Sequence, residues 1–117
     1  MDIRELADQF VAMLQAGNDA EAAAHFNAPD IVSIEPMAGP MARIEGTEAV
    51  KQKSEWWYAN HEVHSFEAAG PFVNGDQFAL RFSMDVTSKE NGERVQMDEM
   101  GLYTVRDGKI VEERFFY

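Results

Sequence analysis

The sequence predicts an α+β domain with its helices on one face of an antiparallel meander. Three observations lead there. Apolar residues recur at helical spacing in the first sixty positions, and the second half alternates with a period of two. Three turn signals, Asn74-Gly75, Asn91-Gly92 and Asp107-Gly108, cut that second half into four strands.

The elements follow in order. Ile3, Leu6, Ala7, Phe10 and Leu14 form the stripe of a first helix, with Asp2 and Glu5 spaced as a capping box. Gly17 ends it, and Asn18 or Asp19 caps a short second helix through Ala20–Phe26. Pro29 breaks that helix, and a short strand over 31–35 runs up to Pro36. Two prolines and two glycines make 36–46 a loop. Thr47 caps a third helix over 48–60, with Val50, Ser54, Trp57, Tyr58 and His61 on one stripe. The strands then read HSFEAAGPFV, QFALRFSMDVTS, RVQMDEMGLYTV and IVEERFFY, with a bulge or bend expected at Gly70-Pro71. The short early strand is expected to add to one side of this meander.

Composition bounds the function. The 117 residues make one domain, 1–117, and 45% hydrophobic content is enough for a core. With no cysteine there is no disulfide, thiolate metal site or cysteine nucleophile, a usage that suits a cytoplasmic protein. No apolar run approaches the ~18 residues of a membrane span, and the first ten residues lack the apolar stretch of a signal peptide. A net charge of −11, with the ten Lys and Arg scattered, disfavours nucleic acid and anionic membranes as partners.

Four segments carry a family resemblance: FVAMLQAGN in the first helix, IVSIEP and RIEGTEAVKQ in the middle, and YTVRDGKIVEERFFY in the last third. With them the chain resembles, over its whole length, the nuclear transport factor 2-like superfamily. Within it, the SnoaL-like and ketosteroid-isomerase-like small proteins are the nearest in pattern. The resemblance implies a cone, or cystatin-like roll: a strongly curved sheet wraps the N-terminal helices and encloses one apolar pocket. It also implies a homodimer through the convex sheet face and chemistry without a cofactor. Because the superfamily contains many activities, function has to come from individual positions.

In the isomerase branch an acidic residue before a proline, at the end of the early strand, shuttles the proton. Glu35-Pro36 falls there, and a partly dry site would raise such a carboxylate toward a useful pKa. The oxyanion hole of that branch, a tyrosine and a protonated aspartate, has no match. Its tyrosine falls on Phe10 and its aspartate near Gly101. Losing such donors costs about 3 kcal/mol each in transition-state stabilisation, so steroid isomerisation by that route is not expected.

Alternation sorts the remaining candidates. Met97, Glu99, Gly101 and Tyr103 share one face with Phe82 and Met84 of the preceding strand, expected to point inward. In the last strand the resemblance turns Glu113, Phe115 and Tyr117 inward, whereas a one-residue slip would present Glu112, Arg114 and Phe116. Glu99 is the second carboxylate, and Gly101 beside it could leave room for a ligand. Trp57, His61, Phe10 and Leu14 complete the expected lining, and Tyr58 could donate its hydroxyl toward Glu35 or Glu99. His61 and His64 could pair as metal ligands only if the third helix ran past them, so no metal is expected. Arg81 and Asp85, tempting as a water-activating pair, fall on the opposite face and suit a surface ion pair or the dimer interface.

Three functions follow. The first is acid/base catalysis of isomerase, cyclase or dehydratase type on a small cyclic or carbonyl compound, with Glu35 as base and Glu99 and Tyr58 or Tyr103 as donors. The second is a non-catalytic pocket for a small apolar molecule. The third is an interaction module that binds another protein through the convex sheet face, with Met100 and Leu102 as an exposed apolar patch.

Overall fold

The computed structural model describes residues 1–117. Helix α1 (Ile3–Gln15) starts as its capping box requires: Asp2 accepts a 2.8 Å hydrogen bond from the Glu5 amide. Its stripe of Leu6, Ala7, Phe10, Val11 and Leu14 is fully buried against the sheet. Helix α2 (Asp19–Phe26) contributes Ala22 and Phe26 to the same core.

Strand β1 (Asn27–Ile34) begins four residues earlier than expected, because α2 already ends at Phe26 and Pro29 sits within an extended segment. The loop after it holds a short strand, β2 (Arg43–Glu45), that the glycine and proline content concealed. Helix α3 spans Thr47–Asn60. Its cap is Gly46, with φ of 97°, and Thr47 lies inside the first turn. The Thr47 hydroxyl reaches the Ala28 and Pro29 carbonyls at 3.2 and 3.3 Å, tying α3 to β1.

Four long strands follow: β3 (His61–Asn74), β4 (Gln77–Ser88), β5 (Arg94–Arg106) and β6 (Lys109–Phe116). They form the expected meander, and the ladder slips between Ala69 and Phe72, where the bend was expected. The sheet order is β2-β1-β6-β5-β4-β3. Because β1 lies parallel to β6 while all other pairs are antiparallel, the six-stranded sheet is mixed.

The last strand takes the register with Tyr103 opposite Glu113 and Gly101 opposite Phe115. On its other side Ser33 lies beside Glu113. Ser33, Glu113 and Tyr103 therefore occupy one level of the helix-facing side. On that side Phe78 stacks on Tyr103 at 4.9 Å, and Phe10 meets both rings edge-on. The opposite side carries Arg81, paired with Asp98 at 3.5 Å, and Asp85, held by two bonds from Arg94. Arg81 and Asp85 thus serve separate surface ion pairs.

Candidate functional site

The end of β1 brings Ser33 and Glu35 to the helix-facing side, as alternation dictates. Above them passes α3, whose Lys53 falls between Val50 and Trp57 at helical spacing. Its ammonium lies 2.6 Å from Glu35 Oε1 and donates to the fully buried Ser33 Oγ at 2.7 Å. The Phe115 ring lies 5.2 Å beneath the nitrogen, within cation–π range. Tyr117 donates its hydroxyl to Glu35 Oε2 at 2.9 Å. Both oxygens of Glu35 are therefore occupied, one by a cation and one by a phenol.

Two further carboxylates approach without a hydrogen-bond partner of their own. Glu99, two residues before Gly101 on β5, is pushed up to about 7, first by loss of solvent and then by repulsion from Glu35, with Lys53 opposing. Glu113 is also pushed up to about 7 by loss of solvent; Lys53 opposes, and Glu35 and Glu99 add to the rise. Burial and the surrounding carboxylates likewise raise Tyr103, which stays a neutral phenol. Three carboxylates around one ammonium cannot all ionise cheaply, so protons are retained on Glu99 and Glu113 near neutral pH.

The other expected residues divide. Phe10, Leu14, Phe82 and Met84 are buried, and Phe10, Leu14 and Phe82 pack into the continuous core. Gly101 leaves no vacancy: a Cβ there would meet the Phe82 and Tyr103 rings at 3.0 Å, because those rings close over the glycine. Met97 pairs with Met84 and is only partly buried.

Tyr58 is turned elsewhere. Its hydroxyl bonds Asp19, joining α3 to α2, and burial followed by that bond raises its pKa. The expected bond to Glu35 or Glu99 is absent because Asp19, one helix away, claims the donor. Trp57 stacks on His61 at 4.5 Å, and the His61 ring also bonds the Trp57 carbonyl. His64 bonds Thr87. With α3 ending at Asn60, the two histidines stand on an extended strand and do not converge. Two surface hollows of about 360 and 310 Å³ lie elsewhere, at the β3 edge near Gln15 and Arg81, and over Val32, Thr104 and Val111.

Lys53 and Ser33 escaped the sequence reading. The signal for Lys53 was present: it shares the inward stripe with Val50 and Trp57, and a lysine there needs a buried partner. Ser33 could have been found by counting back two residues from Glu35.

A family model for the SnoaL-like domain matches residues 1–117. The chain belongs to the SnoaL-like domain family. No curated protein matches it. Among solved structures, a candidate SnoaL-like polyketide cyclase from Mesorhizobium loti is 60% identical, with each chain covered in full and a TM-score of 0.98. More distant likenesses show the fold alone. A cystatin-like protein of unknown function from Xanthomonas campestris is 21% identical, with 99% of this chain and 90% of that one covered and a TM-score of 0.80. A hypothetical protein with a ketosteroid isomerase-like fold from Catenulispora acidiphila, in complex with trimethylamine, is 18% identical, with 97% of this chain and 85% of that one covered and a TM-score of 0.75. The SnoaL-like chain thus has the α+β, cystatin-like and nuclear transport factor 2-like architecture that its sequence predicts.

Proposed function

We propose that this SnoaL-like protein performs acid/base chemistry of isomerase, cyclase or dehydratase type on a small cyclic or carbonyl compound. The observation that carries the reading is the full occupation of Glu35 beside an unpartnered Glu99. A carboxylate whose two oxygens already accept from Lys53 and Tyr117 is a poor base. Proton transfer passes to Glu99, whose pKa of about 7 suits both giving and taking a proton at neutral pH. Glu113 is the second acid of the pair. Glu35 holds Lys53 in place, and one ammonium N–H remains after the bonds to Glu35 and Ser33. Directed at a carbonyl oxygen, that N–H would stabilise the oxyanion formed on enolisation, a role that neither Phe10 nor Gly101 can fill.

The identity to the Mesorhizobium loti protein supports a cyclase-like reaction class. Tyr58 is assigned no proton, since Asp19 accepts its hydroxyl.

The second reading is a non-catalytic binder of a small apolar molecule, favoured by the same fully partnered Glu35, which would suit a structural lock. Glu99→Gln separates the two. In the enzyme it abolishes turnover of cyclic ketones while affinity stays within a few fold; in the binder it alters affinity alone.

The partner we propose for the outer sheet face is a second copy of the chain in the cytoplasm. Met100 and Phe116 face each other across β5 and β6 there, 38% and 48% exposed, and no helix covers them. Sedimentation of the wild type and Phe116→Glu tests this: the wild type should run as a dimer and the variant as a monomer.

A further inference from the structure

Tyr117 follows the last paired residue of β6. The residue is 59% exposed, yet its hydroxyl reaches a carboxylate that is only 10% exposed. The ring stands at the rim and the hydroxyl points inward. One 2.9 Å bond to Glu35 anchors it. Continued one step past Met100 and Phe116, the β5–β6 register would bring Tyr117 level with Glu99. The phenol thus sits on the ion pair, within electrostatic reach of Glu99.

From this geometry we infer that Tyr117 is the specificity-determining residue of the site. Its phenol occupies, in the free protein, the place that a ring-borne hydroxyl of the ligand takes on Glu35. The inference rests on reading the Glu35, Lys53 and Glu99 cluster as a ligand site, and it narrows the ligand to flat rings carrying a hydroxyl donor. Displacement is nearly balanced for such a ligand: Glu35 Oε2 exchanges one phenolic donor for another. A ring without a hydroxyl strips Glu35 of a hydrogen bond in a poorly solvated place and is rejected. An anionic ring has no hydroxyl proton to donate and meets the charge of Glu35, so it is disfavoured too.

The test uses p-cresol, the side chain of tyrosine as a free molecule, and toluene, the same ring without the hydroxyl. Both are titrated by amide chemical shift into the wild type, Tyr117→Ala and Tyr117→Phe. Removing the internal phenol should tighten p-cresol binding by about ten- to a hundredfold over wild type, the worth of one hydrogen bond to a charged group. The shifts should centre on Glu35, Lys53 and Glu99. Toluene should gain less than p-cresol, and Tyr117→Phe, which loses the competing hydroxyl and its anchor but keeps the ring, should gain for p-cresol, by less than Tyr117→Ala. An equal gain for toluene, no p-cresol gain in Tyr117→Phe, or no gain in Tyr117→Ala overturns the inference. If p-cresol fails while Glu99 still titrates near neutrality, Tyr117 loses its assignment and the acid/base reading stands. If p-cresol binds as expected while Glu99 titrates as an ordinary carboxylate, the inference stands and the acid/base reading falls.

Discussion

Lys53 Nζ lies 2.6 Å from Glu35 Oε1, with the two side chains only 17% and 10% exposed. Such a pair is held by mutual need more than by net attraction. Removing one partner strands the other's charge away from water. Lys53→Met should therefore destabilise the fold by about 3 kcal/mol, the lower end for a broken buried pair because both groups keep some solvent. Lys53→Met with Glu35→Leu should recover most of that loss. Urea denaturation of the two variants measures the difference.

Stability should fall as pH rises from about 4.5 to 7 through the contribution of Glu99 and Glu113. Both have folded-state pKa values raised to about 7 from an ordinary 4.5. Within that window the folded chain holds protons that the unfolded chain has released, so each step upward in pH favours unfolding. Their contribution is complete below about 4.5 and lost above about 7. Comparing denaturation midpoints of wild type and Glu99→Gln across the window should show a flatter profile in the variant.

Gly101→Ala should destabilise by about 1–3 kcal/mol, the usual cost of overpacking. Its added carbon meets Phe82 and Tyr103 at 3.0 Å, and the Tyr103 hydroxyl at 3.1 Å. A lowered thermal midpoint checks it. An unchanged midpoint would mean that the two rings have space to retreat.

Tyr58→Phe should cost about 1 kcal/mol, one neutral-to-charged hydrogen bond at a half-exposed helix contact. It should leave the titration of Glu99 unmoved. Thermal melting and carboxyl NMR on the same sample test both halves.

Much of the fold was legible because its signals are local. The capping box at Asp2 and Glu5, the Asp107-Gly108 turn and the alternation from Phe78 to Val86 each dictate their own geometry within a few residues. The parallel pairing of β1 with β6 was not legible, since it joins segments about eighty residues apart and depends on how α3 returns the chain. The site was legible in part. The positions of Glu35, Glu99 and Glu113 followed from alternation and from the resemblance. What lies between them did not, because side-chain reach across elements leaves no periodic trace. Lys53 crosses from a helix to a strand to meet Glu35. Tyr58 turns to Asp19 because α2 happens to present a carboxylate there. Gly101 looked like space because alternation reports direction and says nothing of what fills it.

The most direct test is a carboxyl-carbon NMR titration of the glutamate-labelled protein, with Glu99 assigned by its disappearance in Glu99→Gln. A resonance titrating near 7 would show that the cluster keeps a transferable proton at neutral pH beside the Lys53–Glu35 pair. A Glu99 midpoint near 4.5 would mean that the carboxylate is solvated and ionised, and the acid/base account would be wrong.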